Sequence, residues 1–105
     1  MLAIRRLTKH DRYVADLKER VGSRYDEVLV NHKVYVHKRI VAEADLVGIR
    51  DGRADIYEVK CSYRPTKAKA QLRKLKRIFS RTYSVDSLFF YPANTAQLYR
   101  YTERR

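Results

Sequence analysis

Residues Glu43 to Lys60 read EADLVGIRDGRADIYEVK, and the Asp51-Gly52 pair at their midpoint decides how the chain folds. A two-residue type I′ turn needs positive φ at both central positions, and Asp-Gly between alternating apolar residues is the strongest short-range signal for one. Folding there sets Arg50 against Arg53, Ile49 against Ala54, Val47 against Ile56, Asp45 against Glu58 and Glu43 against Lys60. Strand side chains alternate with period two, so the last four pairs are expected on one face of the sheet. Opposed Cβ atoms in an antiparallel pair lie about 4.5–5.5 Å apart, and like charges there destabilise. Asp45 facing Glu58 is therefore a liability unless a cation sits between them. A hard divalent metal reverses the sign, because one or two carboxylates hold it while water and phosphate oxygens fill its other positions.

Outward from this hairpin the chain is strongly basic. Its 105 residues are expected to form one domain, and 24 Lys and Arg against 12 Asp and Glu give a net charge of +12. Such an excess points to a polyanionic partner, nucleic acid first. The distribution adds to the total: no acid falls between Glu58 and Asp86, whereas Lys60, Arg64, Lys67, Lys69, Arg73, Lys74, Lys76, Arg77 and Arg81 do. The single cysteine, Cys61, excludes an intrachain disulfide and suits a reducing compartment. No apolar run reaches the length of a membrane span, and MLAIRRLTKH at the N-terminus lacks the apolar core of a signal peptide. A soluble cytoplasmic protein with no membrane partner is the expectation.

Patterning supplies the remaining elements. A first helix is predicted from Lys9 to Val21, capped by Thr8, with Asp11 in its first turn, Gly22 past its end and Tyr13, Val14, Leu17 and Val21 as its apolar stripe. EVLVNHKVYVHKRIV, residues 27–41, reads as one long strand or a tight pair broken near Asn31. After the hairpin, Arg64-Pro65-Thr66 ends the strand, and residues 67–81 read as a basic helix whose narrow stripe is Ala68, Leu72, Leu75 and Phe79. Gln71 falls on the flank of that stripe near Ile78, an inward position where a polar group needs a partner. Ser87–Tyr91 is apolar on both faces, as an interior strand would be, and Gln97–Tyr101 reads as an edge strand after the turn PANT. The order α-β-β-β-α-β-β predicts an α/β fold, a small mixed sheet flanked by helices.

Asp45, twelve intervening residues, then Glu58-Val59-Lys60 resembles the signature of the PD-(D/E)XK nuclease superfamily. Within it, DLVGIRDGRADIYEVK is similar to archaeal Holliday junction resolvases, with Ala44 in place of the nominal proline. The resemblance implies a restriction-endonuclease-like core and a homodimer hydrolysing DNA phosphodiesters at branched DNA. It implies that Asp45, Glu58 and the Val59 carbonyl hold Mg²⁺ or Mn²⁺, and that Lys60 orients the attacking water and stabilises charge on the phosphate. Families of this kind often add an acid from the first helix, for which Asp11 is the first choice, ahead of Asp16 and Glu19. Gln71 resembles the helix glutamine of RecB-like exonucleases, although Leu75 stands where their tyrosine is expected. Lys67, Lys69, Arg73, Lys74, Arg77 and Arg81 become the DNA-binding set.

Simpler readings compete with these. Glu58-Val59-Lys60 could be a solvated strand face with Glu43 and Lys60 as an ion pair, and the acids could be structural in a non-catalytic nucleic-acid-binding protein. A RecB-like exonuclease or flap-type nuclease acting on DNA ends is the nearer rival. His10, His32 and His37 are too scattered for a zinc site and read as surface residues. Cys61 reads as a core residue on the opposite sheet face from Lys60, and the nine tyrosines as core and interface before base-stacking groups.

Overall fold

The computed structural model describes residues 8–102; residues 1–7, most of the stretch read for a leader, lie outside that range. Helix α1 (Lys9–Val21) begins at a reciprocal cap. The Asp11 N–H donates to the Thr8 hydroxyl at 3.0 Å, and the Thr8 N–H donates to the Asp11 carboxylate at 3.3 Å, so two otherwise orphaned amides are satisfied. A 3-10 turn, Gly22–Arg24, then leads into β1 (Glu27–Val36), β2 (Arg39–Arg50), β3 (Arg53–Lys60), helix α2 (Pro65–Phe79), β4 (Ser84–Pro92) and β5 (Tyr99–Tyr101). The strands form one sheet in the order β1-β2-β3-β4-β5. All neighbours are antiparallel except β3 and β4, which α2 joins as a parallel pair.

Each helix buries its stripe on a different face, which makes the fold an α/β sandwich around a five-stranded mixed sheet. Ala68, Leu72, Leu75 and Phe79 of α2 pack on Val47, Ile49, Ala54, Ile56, Leu88 and Phe90. Val14, Leu17 and Val21 of α1 pack on Leu46, Tyr57, Val59 and Tyr91. Tyr25 closes the α1 side: its hydroxyl donates to Asp55 at 2.7 Å, and its ring lies so close to Gly48 that an added Cβ would meet it at 2.4 Å. Among the described residues no helix is long and apolar enough to cross a membrane.

The Asp51-Gly52 turn forms as expected, with φ of 52° and 72°. The ladder beyond it pairs Arg50 with Arg53, Ile49 with Ala54 and Val47 with Ile56, then ends at Leu46–Tyr57. The expected direct pairs Asp45–Glu58 and Glu43–Lys60 therefore do not continue it. Residues 27–41 are a strand pair, but their turn is His37-Lys38, at φ 49° and 67°, rather than Asn31. Asn31, at φ 47°, lies inside β1, where the β1–β2 ladder passes from Val30–Leu46 to His32–Ala44 and leaves Asn31 across from Asp45.

Both strands change sides at that level. Ala44 and Val47, three residues apart, pack in the α2-side core, as do Leu29 and Val34, five apart; strict alternation forbids both spacings. The four pairs expected on one face are thus split at Asp45. Local irregularities of this kind re-aim a side chain, and the residue re-aimed here is Asp45.

Candidate functional site

Released from the ladder, the Asp45 carboxylate accepts the Val59 N–H at 2.8 Å. That bond ties the middle of β2 to the end of β3 where backbone pairing between the two strands has stopped. Among the described residues, Asp45 and Glu58 are the two buried charged ones, 8% and 2% exposed. They open into one cleft with Val59, Lys60, Arg64 and Gln71. Lys60 Nζ sits 3.2 Å from Glu58 Oε2, while the other oxygen, Oε1, is buried with no hydrogen-bond partner among the described residues.

Burial first, and the Asp45 charge second, push the Glu58 carboxyl up to about 8 against the pull of Lys60. Removing solvent from a carboxylate beside a second one disfavours its charged form by both routes. The pair is therefore short of positive charge despite the lysine.

The first helix contributes a different residue from the one expected. Asp11 is engaged in its cap, accepts a 3.5 Å bond from the Asn31 amide, and lines a neighbouring cleft with Asn31, Lys33 and Glu43, of which Glu43 alone also lines the acidic cleft. Asp16 and Glu19 are exposed on α1, away from the acidic cleft. His10 enters it instead: its Nε2 lies 3.1 Å from the Val59 carbonyl and 3.4 Å from Asp45 Oδ2. One step along a helix rotates a side chain by about 100°, so the cap signal that marks Asp11 also directs its neighbour toward β3. Capping chemistry was the available clue that Asp11 was already engaged.

On the other wall, Gln71 is exposed and faces the cleft, so the expectation of an inward, buried amide is corrected. Helical spacing puts Lys67 and Lys74 on the flank of α2 that carries Gln71, and Lys69 and Arg73 on the far flank. The latter two reach Tyr101. Arg77 is exposed near the helix end, and Arg81 lies beyond Phe79 in the following turn rather than on the helix. Cys61 is exposed at the cleft, not in the core. His32 packs its ring 6.0 Å from Phe79. Glu43 pairs across β1–β2 with Lys33.

Among the described residues no three His, Cys, Asp or Glu side chains are grouped closely enough to hold a metal by themselves. A cation here would rest on two carboxylates, the Val59 carbonyl and water. The donors suit a hard divalent ion of Mg²⁺ type, which keeps several waters, and the orphaned Glu58 oxygen is an acceptor such an ion would satisfy. No protein-family model, curated protein or solved structure matches this chain.

Proposed function

We propose that the chain is a metal-dependent deoxyribonuclease of the PD-(D/E)XK kind, with a restriction-endonuclease-like core, that cuts branched DNA as a homodimer. The reading is carried by one observation: two buried carboxylates, one with an oxygen that has no hydrogen-bond partner among the described residues, share a cleft with a lysine on a protein of net charge +12. Burying one acid beside another costs stability unless the pair is neutralised, and a perturbed acid in a cleft with a specific charge partner is a functional-site candidate.

Asp45, Glu58 and the Val59 carbonyl would hold Mg²⁺ or Mn²⁺. The ion would supply positive charge at the scissile phosphate and a clamp for its oxygens. Lys60 would exchange its place beside Glu58 for a phosphate oxygen or the attacking water, stabilising charge as the P–O bond breaks. His10, donating from Nε2 to the Val59 carbonyl, fixes the end of β3 from the α1 side. Lys67 and Lys74 would take the backbone phosphates beside the cleft, interactions that position DNA without reading its sequence. Gln71 at the cleft wall favours a second reading, an end-directed exonuclease or flap-type enzyme acting in the RecB-like manner.

Labelled four-way junctions, flaps, duplexes and single strands incubated with Mg²⁺ test these readings together. Incision near the crossover is expected, and Asp45→Asn and Glu58→Gln should each abolish it while DNA binding stays intact or strengthens, because an acid that repels phosphate has been removed. Normal turnover in either variant rejects the site. Tight binding with no cleavage of any substrate would identify a binding protein.

A further inference from the structure

Beyond the cleft, the chain carries an aromatic surface that its core does not require. Tyr63, three residues past Lys60, is 56% exposed, and Tyr99 of the edge strand β5 is 39% exposed. The two rings meet at 5.8 Å, and both pack on Phe90, at 5.7 and 6.2 Å. Phe90 alone belongs to the core, so the tyrosines form an outer layer fixed from beneath and open above. Two residues along β5, about 6.7 Å further on the same face, Tyr101 has Lys69 at 5.7 Å and Arg73 at 5.8 Å from its ring. Arg73 Nε also donates to its hydroxyl at 2.8 Å. Cations thus stand at both ends of the tyrosine pair, Lys60 and Arg64 at the cleft and Lys69 and Arg73 at the far end. No acid occurs from Val59 to Val85 or from Pro92 to Thr102.

We propose that Tyr63 and Tyr99 form a stacking platform for an unpaired DNA strand running from the acidic cleft toward Tyr101, with Arg64, Lys69 and Arg73 holding its phosphates. The chemistry selects that occupant. A positive track with interleaved aromatic rings is how proteins bind single strands without sequence preference. Bases within a duplex expose only their edges in the grooves, so a ring can stack only on a base that has left the helix. A branch point or a frayed end supplies such bases beside the phosphodiester to be cut. The proposal rests on the nuclease reading for the purpose of the strand, whereas the binding itself needs neither metal nor catalysis.

The test is therefore run in EDTA, by fluorescence anisotropy with labelled oligo-dT and with a fully paired blunt duplex closed by G·C pairs at both ends, which presents no looped-out base. Tyr63→Ala and Tyr99→Ala should each weaken oligo-dT binding about tenfold, the range of one missing base–aromatic stack, and leave duplex binding within about twofold. The chain has no tryptophan, so Tyr63→Trp adds a single reporter that keeps the stacking face: oligo-dT should quench its emission and the duplex should not. Alanine variants that melt like wild type and keep wild-type oligo-dT affinity would overturn the platform. So would equal losses on both DNAs, or a tryptophan left unquenched while anisotropy reports binding. Asp45-dependent cleavage is scored separately, so the platform and the nuclease reading fail independently.

Discussion

At the residue scale, the acidic cleft makes a prediction about stability that needs no substrate. In the folded chain Glu58 holds its proton up to about 8, against an ordinary value of 4.5. Between those values the folded state binds more protons than the unfolded one, so this residue's contribution falls as pH rises and levels off above about 8. Glu58→Gln carries no charge to bury. In EDTA its melting temperature should match wild type near pH 5 and exceed it by several degrees near pH 8.5, about 4–8 °C for each kcal/mol in a domain of this size. Millimolar Mg²⁺ at the higher pH should raise wild type and leave the variant unmoved, because a ligand stabilises only the state that binds it. A variant-minus-wild-type difference that is flat from pH 5 to 8.5 would place Glu58 in water rather than beside Asp45. Sequence alone made Asp45, Glu58 and Lys60 legible, because a turn and a spacing put them together. His10 was not legible, since a lone histidine carries no spacing signal and an acid one residue later drew the first-helix assignment. The exposure of Cys61 was missed for a related reason: alternation was extended past Lys60, where β3 has already ended.

At the scale of elements, the two helices were the most legible parts. The α1 stripe and cap, and the four α2 core residues, are where helical periodicity puts them. The β1–β2 turn was not legible, because His37 and Lys38 adopt positive φ without the Gly or Asn that usually announces it. The side change at Asn31 and Asp45 was hidden as well, since alternation in a sequence cannot report its own interruption. That irregularity has a structural consequence: it takes Asp45 off the α2-side row and lets its carboxylate cap the end of β3. Helix α2 now separates into two flanks that a sequence reading could not rank. Lys67 and Lys74 share the side of Gln71 and the cleft, whereas Lys69 and Arg73 share the side of Tyr101. Charge reversal by Lys67→Glu or Lys74→Glu should weaken duplex binding and lower the slope of log K against log salt by about one for each phosphate no longer neutralised. Lys69→Glu should act chiefly on single strands. Anisotropy titrations across a series of salt concentrations read both effects. Identical slopes for all three variants and wild type would move the duplex surface off α2, toward Lys33, Lys38 and Arg39 on the β1–β2 hairpin.

At the scale of the whole molecule, the sheet leaves β1 and β5 as edges and gathers the cleft, the α2 cations and the tyrosine platform around the loop that joins β3 to α2. One such cleft suffices for a terminus, where a single strand is trimmed. A four-way junction needs two, because symmetric resolution requires paired incisions on opposed strands, and C₂ is the commonest way for a small chain to supply paired sites. The two readings of the cleft therefore differ in assembly as well as in substrate. If the junction reading holds, a mixed dimer of wild type and Asp45→Asn should nick one strand of a junction but release no arms in a single encounter, since the variant subunit binds and does not cut. Closing every arm with a hairpin loop should leave incision near the crossover unaffected, and sedimentation should report a dimer at the concentrations where cutting occurs. An end-directed enzyme reverses each result: closed arms abolish cleavage, the active species sediments as a monomer, and mixing with Asp45→Asn lowers the rate only in proportion to the inactive protein added. In that outcome Asp45, Glu58 and Lys60 keep their roles, Gln71 gains one at the cleft wall, and the strand stacked on Tyr63 and Tyr99 is the end being consumed.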